Sequence, residues 1–195
     1  MPYDAMNERA DEDLLAAYAK GDAAAARALN QRLTPMAFAH AVRMLGGDRA
    51  EAEDVAQDAM LRLWRAAPDW RPGEAKVTTW LYRVTANLCI DRLRKRRSGP
   101  TLDRVPEPVD ETPSVADGMQ AQARADALQA ALDQLPERQK QAVILRHIEG
   151  LSNPEIAQIM DIGPRAVESL TARGKRALEA LLLGKRSELG YESDG

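Results

Sequence analysis

Residues 151–181, LSNPEIAQIMDIGPRAVESLTARGKRALEAL, contain two helix signals separated by a short turn. Ser152 precedes Glu155 by three residues, which is the spacing of a capping box, and Pro154 falls in the first turn, where its missing N–H is tolerated. Residues 161–163 then interrupt the helical pattern, and a second, longer helix can follow. A short helix, a tight glycine-containing turn and a longer helix together predict a helix-turn-helix, which lays its second helix in the major groove of DNA.

The predicted second helix has two contrasting faces. At about 100° per residue, an apolar stripe falls on one side and polar residues fall on or beside the other. The stripe consists of Val167, Leu170, Gly174, Ala177, Leu178 and Leu181. The outer residues are Arg165, Glu168, Ser169, Arg173 and Arg176. Arginine and serine suit phosphates and base edges, so the outer residues are predicted to contact DNA. The alternative is an ordinary helical hairpin with a solvated polar face.

Composition favours an all-α fold, because alanine, leucine, arginine and glutamate are abundant and there is a single phenylalanine. No apolar stretch approaches the roughly 20 residues of a membrane span, so no membrane insertion is expected. The acidic residues 1–13 lack an apolar signal core, and Cys89 stands alone, which together predict the reducing cytoplasm. His40 and His147 have no ligand-spaced neighbours, and there is no glycine-rich phosphate loop. The sequence therefore predicts no metal, no cofactor and no catalytic residues.

A proline-rich acidic segment at 98–118 divides the chain. It holds four of the 11 prolines, and five acidic residues against one arginine. Such a composition buries little and predicts a flexible linker. The chain then divides into a domain at 1–97, the linker, a helix-turn-helix domain at 119–184 and a tail at 185–195. The formal net charge of −3 predicts weak attraction to DNA and hence help from a larger partner.

Each domain is predicted to contain four helices. Asp22 and Asp48 are placed to cap the second and third helices, and residues 67–76 form a loop. The predicted helices of the first domain span 11–20, 22–45, 48–66 and 77–97. Those of the second domain span 119–134, 137–149, 152–160 and 164–183.

The helix at 48–66 carries an apolar residue on its polar side. Leu61 lies opposite the apolar stripe, and Trp64 lies at the edge of the same polar face. An apolar residue among acids, with a tryptophan alongside, is typical of a protein-docking surface. Single exposed leucines are also common, and periodicity alone favours that plainer explanation. The polar neighbours of the leucine are Asp54, Gln57 and Asp58.

The helix at 77–97 combines aromatic and basic residues. Its last six residues, from Arg92, include five cations, which is more than compensation of the helix dipole requires. Trp70, Trp80 and Tyr82 lie in or near the preceding loop. A basic track beside aromatic side chains is how proteins hold unstacked single strands, although most tryptophans of small helical domains belong to the core. Both interpretations stay open on this evidence.

Three blocks of the chain together resemble a bacterial RNA polymerase sigma factor of the extracytoplasmic function type (group IV of the sigma-70 family). The blocks are AEDVAQDAMLRLWRA at 52–66, TTWLYRVTANLCIDRLRKRRS at 78–98, and LPERQKQAVILRHIEGLSNPEIAQIMDIGPRAVESLTARGKRAL at 135–178. They occur in the family's order and at its spacing, with the acidic linker between the second and the third.

The resemblance implies a role for each block. The first would bind core RNA polymerase, whose contacts lie on the β′ clamp helices and the β subunit. The second would melt and read the −10 element, and the third would read the −35 element. The polymerase-binding residues would be Asp54, Gln57, Asp58, Leu61 and Trp64. The −10 residues would be Trp70, Trp80, Arg83 and Asn87 around a flipped base, with Arg92, Arg94, Lys95 and Arg96 on the phosphates.

The implied function is that of an alternative sigma factor, a non-catalytic protein that brings core polymerase to promoter DNA and starts transcription. A further implied partner is an anti-sigma factor that holds the two domains inactive. A free-standing helix-turn-helix regulator is the alternative, and it predicts tight binding to a palindromic duplex without polymerase. A third alternative is an interaction protein whose basic face binds an acidic partner, without sequence preference.

Overall fold

The computed structural model describes residues 9–98 and 116–183, and every regular element in these ranges is helical. This confirms the predicted all-α fold, and the helix bounds fall close to those predicted. Residues 99–115 of the predicted linker and the predicted tail at 185–195 lie outside the described residues. The helices are α1 (Asp11–Ala19), α2 (Ala23–Met44), α3 (Arg49–Ala66), α4 (Val77–Ser98), α5 (Ala116–Leu132), α6 (Glu137–Val143), α7 (Asn153–Met160) and α8 (Pro164–Leu183).

Two aspartates begin helices as predicted. Oδ1 of Asp22 accepts hydrogen bonds from the backbone N–H groups of Ala24 and Ala25, at 2.9 and 3.2 Å. Oδ1 of Asp48 accepts from the N–H of Glu51 at 3.0 Å. Each cap satisfies donors that have no partner within the helix, and thereby fixes where α2 and α3 start.

Helices α1 to α4 pack around one apolar core. The stripe of α3 predicted from periodicity is buried against α2 and α4, which leaves the polar side of α3 outside. The predicted loop at 67–76 begins with a short 3₁₀ helix, Ala67–Asp69. The largest fully buried side chains of this core are Leu14, Leu15, Leu29, Leu33, Met44, Leu63 and Leu81.

The helix-turn-helix forms at the predicted positions, with one difference in its turn. The N–H and Oγ of Ser152 both donate to Oε2 of Glu155, at 3.0 and 2.7 Å, so the capping interaction is present. The left-handed residue that ends α7 is Asp161, at φ +53°, whereas Gly163 adopts no positive φ. Aspartate tolerates this conformation better than most residues, so the chain reverses without a glycine there.

A glycine allows α8 to pack closely against α6. A Cβ built on Gly174 would lie 2.6 Å from Cγ2 of Val143 and 3.1 Å from the carbonyl oxygen of Gln139. Gly174 lies in the stripe predicted for α8, which is buried or half-buried along its length. The absent side chain is therefore what allows the two backbones to approach, at a position that the sequence marked only as apolar.

The two helical units are packed against each other. Buried residues of the second unit, including Leu132 and Ile144, belong to the same apolar cluster as the core of α1 to α4. Conversely, Tyr82 of α4 belongs to the cluster that contains Ile156 and Val167. The sequence predicted two units joined by a linker, and the structure adds a direct interface between them, with α4 lying against α7.

Candidate nucleic-acid and protein interface

The polar face of α3 is exposed as predicted. Leu61 is 51 % exposed, one of two large apolar side chains this accessible in the described chain. Asp54, Gln57 and Asp58 are exposed beside it. The face exists because Ala52, Val55, Ala56, Ala59 and Leu63 occupy the opposite side of the helix and are buried.

Trp64 lies at the border between this face and the core. Its ring centroid is 4.5 Å from that of Tyr18 in α1, and the side chain is half-buried against the first core. The tryptophan therefore anchors α1 to α3 and exposes only part of its ring. Of the five predicted polymerase-binding residues, four present their side chains openly and Trp64 presents an edge.

Two tryptophans form an edge-to-face pair at the start of α4. The ring centroids of Trp70 and Trp80 are 5.9 Å apart with an interplanar angle of 80°, which is a favoured aromatic geometry. Both rings are half-buried against the core. Arg83 and Asn87, one and two turns further along α4, are exposed on its outer side. The structure thus brings the four predicted base-contacting residues to one end and one side of α4.

Tyr82 is not available to a nucleic-acid strand in this structure, contrary to its grouping with the two tryptophans. It is 5 % exposed, and its hydroxyl donates to Oε2 of Glu149 at 2.9 Å. Burial and the nearby Glu149 carboxylate raise the pKa of this phenol well above its usual value. Sequence periodicity missed this contact because α4 has a third face, which packs on the second unit.

The basic end of α4 is divided into paired and exposed cations. Arg92 lies 3.1 Å from Oδ2 of Asp58 and 3.9 Å from Oδ2 of Asp54, on the acidic face of α3. Arg96 lies 2.6 Å from Oδ2 of Asp48 and also contacts Glu51. These two predicted phosphate-binding arginines are therefore partly neutralised within the chain. The other two residues of the predicted set, which are exposed, are Arg94 and Lys95.

The outer face of α8 is open. Arg173 and Arg176 lie along the helix, where their Nε atoms donate to the carbonyl oxygens of Ser169 and Ala172, at 3.2 and 3.3 Å. The helix rises about 1.5 Å per residue, so the face spans roughly 17 Å. The exposed predicted residues of this face are Arg165, Glu168, Ser169, Arg173 and Arg176.

Two family models match the chain, one on each unit. Sigma-70 region 2 matches residues 29–99, and Sigma-70 region 4 matches residues 125–178. The chain is 35 % identical over 176 residues to the ECF RNA polymerase sigma factor SigM of Mycobacterium tuberculosis. The aligned region covers 90 % of this chain and 86 % of SigM.

The chain belongs to the extracytoplasmic function (ECF) sigma factors of the sigma-70 family.

Solved structures of sigma factors have the same fold. CnrH, a sigma factor of Cupriavidus metallidurans, was solved in complex with the cytosolic domain of CnrY. The two chains share 28 % sequence identity and a TM-score of 0.68, over 90 % of this chain and 99 % of CnrH. RpoE of Bartonella quintana, solved with the anti-sigma factor NepR, matches 78 % of this chain and 93 % of its own, with 23 % identity and a TM-score of 0.62.

The described part of this sigma factor offers no metal or membrane site. Within 9–98 and 116–183, no three histidine, cysteine or acidic side chains are grouped to hold a metal ion. None of the described helices is long and apolar enough to cross a bilayer.

A buried polar cluster, which no pattern in the sequence predicts, lies between the two units of this sigma factor. Glu149, at the end of the π turn Ile144–Ile148, contacts His40 and Arg43 of α2 as well as Tyr82 of α4. In the sequence, His40 has no partner at ligand spacing. The residues of the cluster lie as much as 109 positions apart, from His40 to Glu149, and a single sequence carries no signal for such a contact.

Proposed function

We propose that this sigma factor binds core RNA polymerase through the exposed face of α3. Asp54, Gln57, Asp58 and Leu61 contact the β′ clamp helices, with the edge of Trp64 at the border of the site. The observation that most supports this is the open apolar side chain of Leu61 among carboxylates, because an exposed apolar residue with a charged surround is typical of a protein interface. The sigma factor also contacts the β subunit of core polymerase.

The −10 element is melted and read along α4. A base flipped from the non-template strand stacks near Trp70 and Trp80, and its edge meets Arg83 and Asn87. Unstacking a base costs a few kcal/mol, and aromatic stacking with hydrogen bonds to the base edge can offset that cost. The basic end of the helix holds the neighbouring phosphates. Its phosphate-binding residues are Arg92, Arg94, Lys95 and Arg96.

The −35 element is read by the outer face of α8, which lies in the major groove. Arginines of this face contact phosphates and guanine edges, and Glu168 can accept from a cytosine amino group. The proposed contacts are Arg165, Glu168, Ser169, Arg173 and Arg176. The net charge of −3 is the reason that polymerase must supply much of the affinity for DNA.

The proposed domains are 1–97 for polymerase docking and −10 melting, and 119–184 for the −35 element, with the linker at 98–118 and the tail at 185–195. The protein itself catalyses no reaction, and it acts in the cytoplasm, where the polymerase is. CnrH was solved with the cytosolic domain of CnrY, and we infer a comparable protein partner, an anti-sigma factor, for this chain.

The proposal is tested by measuring binding to purified core polymerase and promoter melting, with variants of matched charge change. Asp54→Lys reverses a charge that is 68 % exposed on the docking face. Glu53→Lys makes the same change on the same helix, about 100° around its axis. Arg83→Ala and Asn87→Ala are examined by the fluorescence of 2-aminopurine in the −10 element.

Asp54→Lys is expected to weaken binding to core polymerase by tenfold or more, which corresponds to about 1.4 kcal/mol, whereas Glu53→Lys should leave it nearly unchanged. Arg83→Ala and Asn87→Ala should reduce melting without weakening the binding of core polymerase. Equal loss in the two lysine variants would contradict docking through this face. Tight, sequence-specific duplex binding without polymerase would instead support a free-standing regulator.

A further inference from the structure

Glu149 reaches from the second unit into a polar site on the first. Its Oε1 lies 2.8 Å from Nη1 of Arg43 and 3.8 Å from Nδ1 of His40, and its Oε2 accepts from the hydroxyl of Tyr82 at 2.9 Å. The carboxylate side chain is only 12 % exposed, and His40 is fully buried. Both carboxylate oxygens are therefore engaged by side chains of α2 and α4, although the residue belongs to the other unit.

The position of this carboxylate is fixed by its own backbone. The N–H of Glu149 bonds to the carbonyl oxygen of Ile144 at 2.9 Å, which is the five-residue step of a π turn. Gly150, at φ +72°, then ends the turn. The π turn thus aims the side chain out of the helix end and across the interface.

The charged form of the carboxyl is the one that fits. Burial by itself raises the pKa of Glu149, but the contacts with His40 and Tyr82 and the charge of Arg43 outweigh it, so the pKa is lowered from its usual value. A buried carboxylate is tolerated only where paired and hydrogen-bonded. Separating the two units would remove these three partners together.

Polar side chains of the second unit also cap the C-terminal end of α2. Nζ of Lys140, a buried lysine, donates to the carbonyl oxygen of Met44 at 2.9 Å, and Nε2 of Gln129 donates to that of Arg43 at 3.1 Å. The last carbonyls of a helix have no partner within it, so these bonds satisfy acceptors that would otherwise need water. Lys140 is held in place by Oδ1 of Asp133 at 2.6 Å.

The closed arrangement cannot read both promoter elements together. Nζ of Lys76, next to the start of α4, lies 2.8 Å from Oε1 of Glu155 in α7, so the two DNA-reading units touch. The −10 and −35 elements are centred about 25 base pairs apart, which is roughly 85 Å at 3.4 Å per base pair. Helices α4 and α8 are about 33 and 30 Å long, and even end to end they fall short of that span.

We propose that Glu149, seated between Arg43 and Tyr82, is a latch that holds the free sigma factor closed and that must release before both promoter elements can be bound. The need to release rests on the proposed promoter function, whereas the closure itself does not. Binding of a promoter then competes with an intramolecular contact, so the latch lowers the apparent affinity for DNA that carries both elements by the fraction of open molecules.

The first test of the latch uses full-length protein without polymerase. Small-angle X-ray scattering is compared for the wild type, Glu149→Arg, Arg43→Glu and the charge-swapped double variant, with far-UV circular dichroism to monitor helix content. The matched control for Glu149→Gln is Glu179→Gln, because Glu179 is exposed on α8 and its ion pair, with Lys175, lies within that helix.

Glu149→Arg and Arg43→Glu should each increase the radius of gyration at unchanged helix content, and the double variant should restore the wild-type value. Glu149→Gln should open the chain partly, and Glu179→Gln should not. A wild-type radius equal to that of Glu149→Arg would overturn the latch. So would a double variant as expanded as its parents, because the swap restores the opposite charges across the interface.

The second test measures the affinity of the same variants, bound to purified core polymerase, for a promoter duplex that carries both elements. Opening should tighten binding on the order of tenfold for Glu149→Arg, and the double variant should return towards the wild type. If the chain opens but its affinity for the promoter does not rise, the proposed competition is refuted. A wild type that scatters as a closed particle but never binds polymerase would instead contradict the proposed function and leave the closure standing.

Discussion

Gly174→Ala is predicted to destabilise the second unit although alanine is the better helix former. The added Cβ would lie 2.6 Å from Cγ2 of Val143, a stiff β-branched side chain, and 3.1 Å from a backbone oxygen of Gln139. Extra methyl groups in packed interiors cost about 1–3 kcal/mol. Replacing glycine by alanine in a helix gains about 1 kcal/mol. The approach of 2.6 Å places the steric cost in the upper part of that range, about 2–3 kcal/mol, so we expect a net loss of about 1–2 kcal/mol in the free energy of unfolding.

Urea unfolding followed by circular dichroism measures this loss of unfolding free energy. In a chain of this length, it should lower the melting temperature of Gly174→Ala by about 2–8 °C. The decisive comparison is a double-mutant cycle with Val143→Ala. Removing Cγ2 removes the closest clash, so Gly174→Ala should cost little in that background or even stabilise it. An equal cost of Gly174→Ala with valine and with alanine at position 143 would refute the steric reasoning, as would a stabilised single variant.

Three further predictions concern single side chains. The ion pair with Lys76 and the capping bonds lower the pKa of Glu155 to about 2. The stabilisation by the Glu155 carboxylate is therefore present above pH 4.5 and is lost as pH falls towards 2. The melting temperature of Glu155→Gln should vary less over that pH range than the melting temperature of the wild type. Burial raises the pKa of the Cys89 thiol to about 12, and a thiol reagent at pH 8 should label it on the order of 10³-fold faster in urea than in the native protein. Arg92 is held by carboxylates, whereas Arg94 is exposed. Arg94→Ala should therefore lower the salt dependence of holoenzyme binding to −10 single strands by about one counterion, and Arg92→Ala should lower it by less. Equal effects of the two variants would show that the pairing of Arg92 does not persist on DNA.

Local signals in the sequence predicted most of the fold. Asp22 and Asp48 marked the starts of helices because a short acceptor side chain before an apolar pattern satisfies helix N–H groups. The apolar stripe of α8 and its polar outer face were predicted from the 3.6-residue period alone. These features depend on residues within a few turns of one another, which is the range over which a single sequence is informative.

Features that depend on distant residues were not predictable in this way. Tyr82 was grouped with tryptophans because it is aromatic, yet it is buried by a glutamate 67 positions away. Arg92 was expected on phosphates, yet α3 packs its carboxylates beside it. The left-handed turn residue is Asp161 and not the nearby glycine, because Asp161 directly follows the last helical residue and its N–H bonds to the carbonyl oxygen of Ala157.

The candidate site was predicted as separate faces, and the structure relates them to one another. The docking face of α3 and the basic end of α4 share the contact of Arg92 with Asp58, so the surface proposed for polymerase also partly neutralises the surface proposed for DNA. The second unit covers a third side of α4 through Tyr82 and Glu149. Both relations arise from packing between helices, and they suggest that binding at one surface changes the other.

Run-off transcription with purified core polymerase, from a promoter that this sigma factor recognises, tests the central claim most directly. The account predicts a specific transcript only when the sigma factor is added, its loss with Asp54→Lys, and its retention with Glu53→Lys. The same transcript from core polymerase alone, or full activity of Asp54→Lys, would contradict the claim that this chain brings polymerase to promoters through the exposed face of α3.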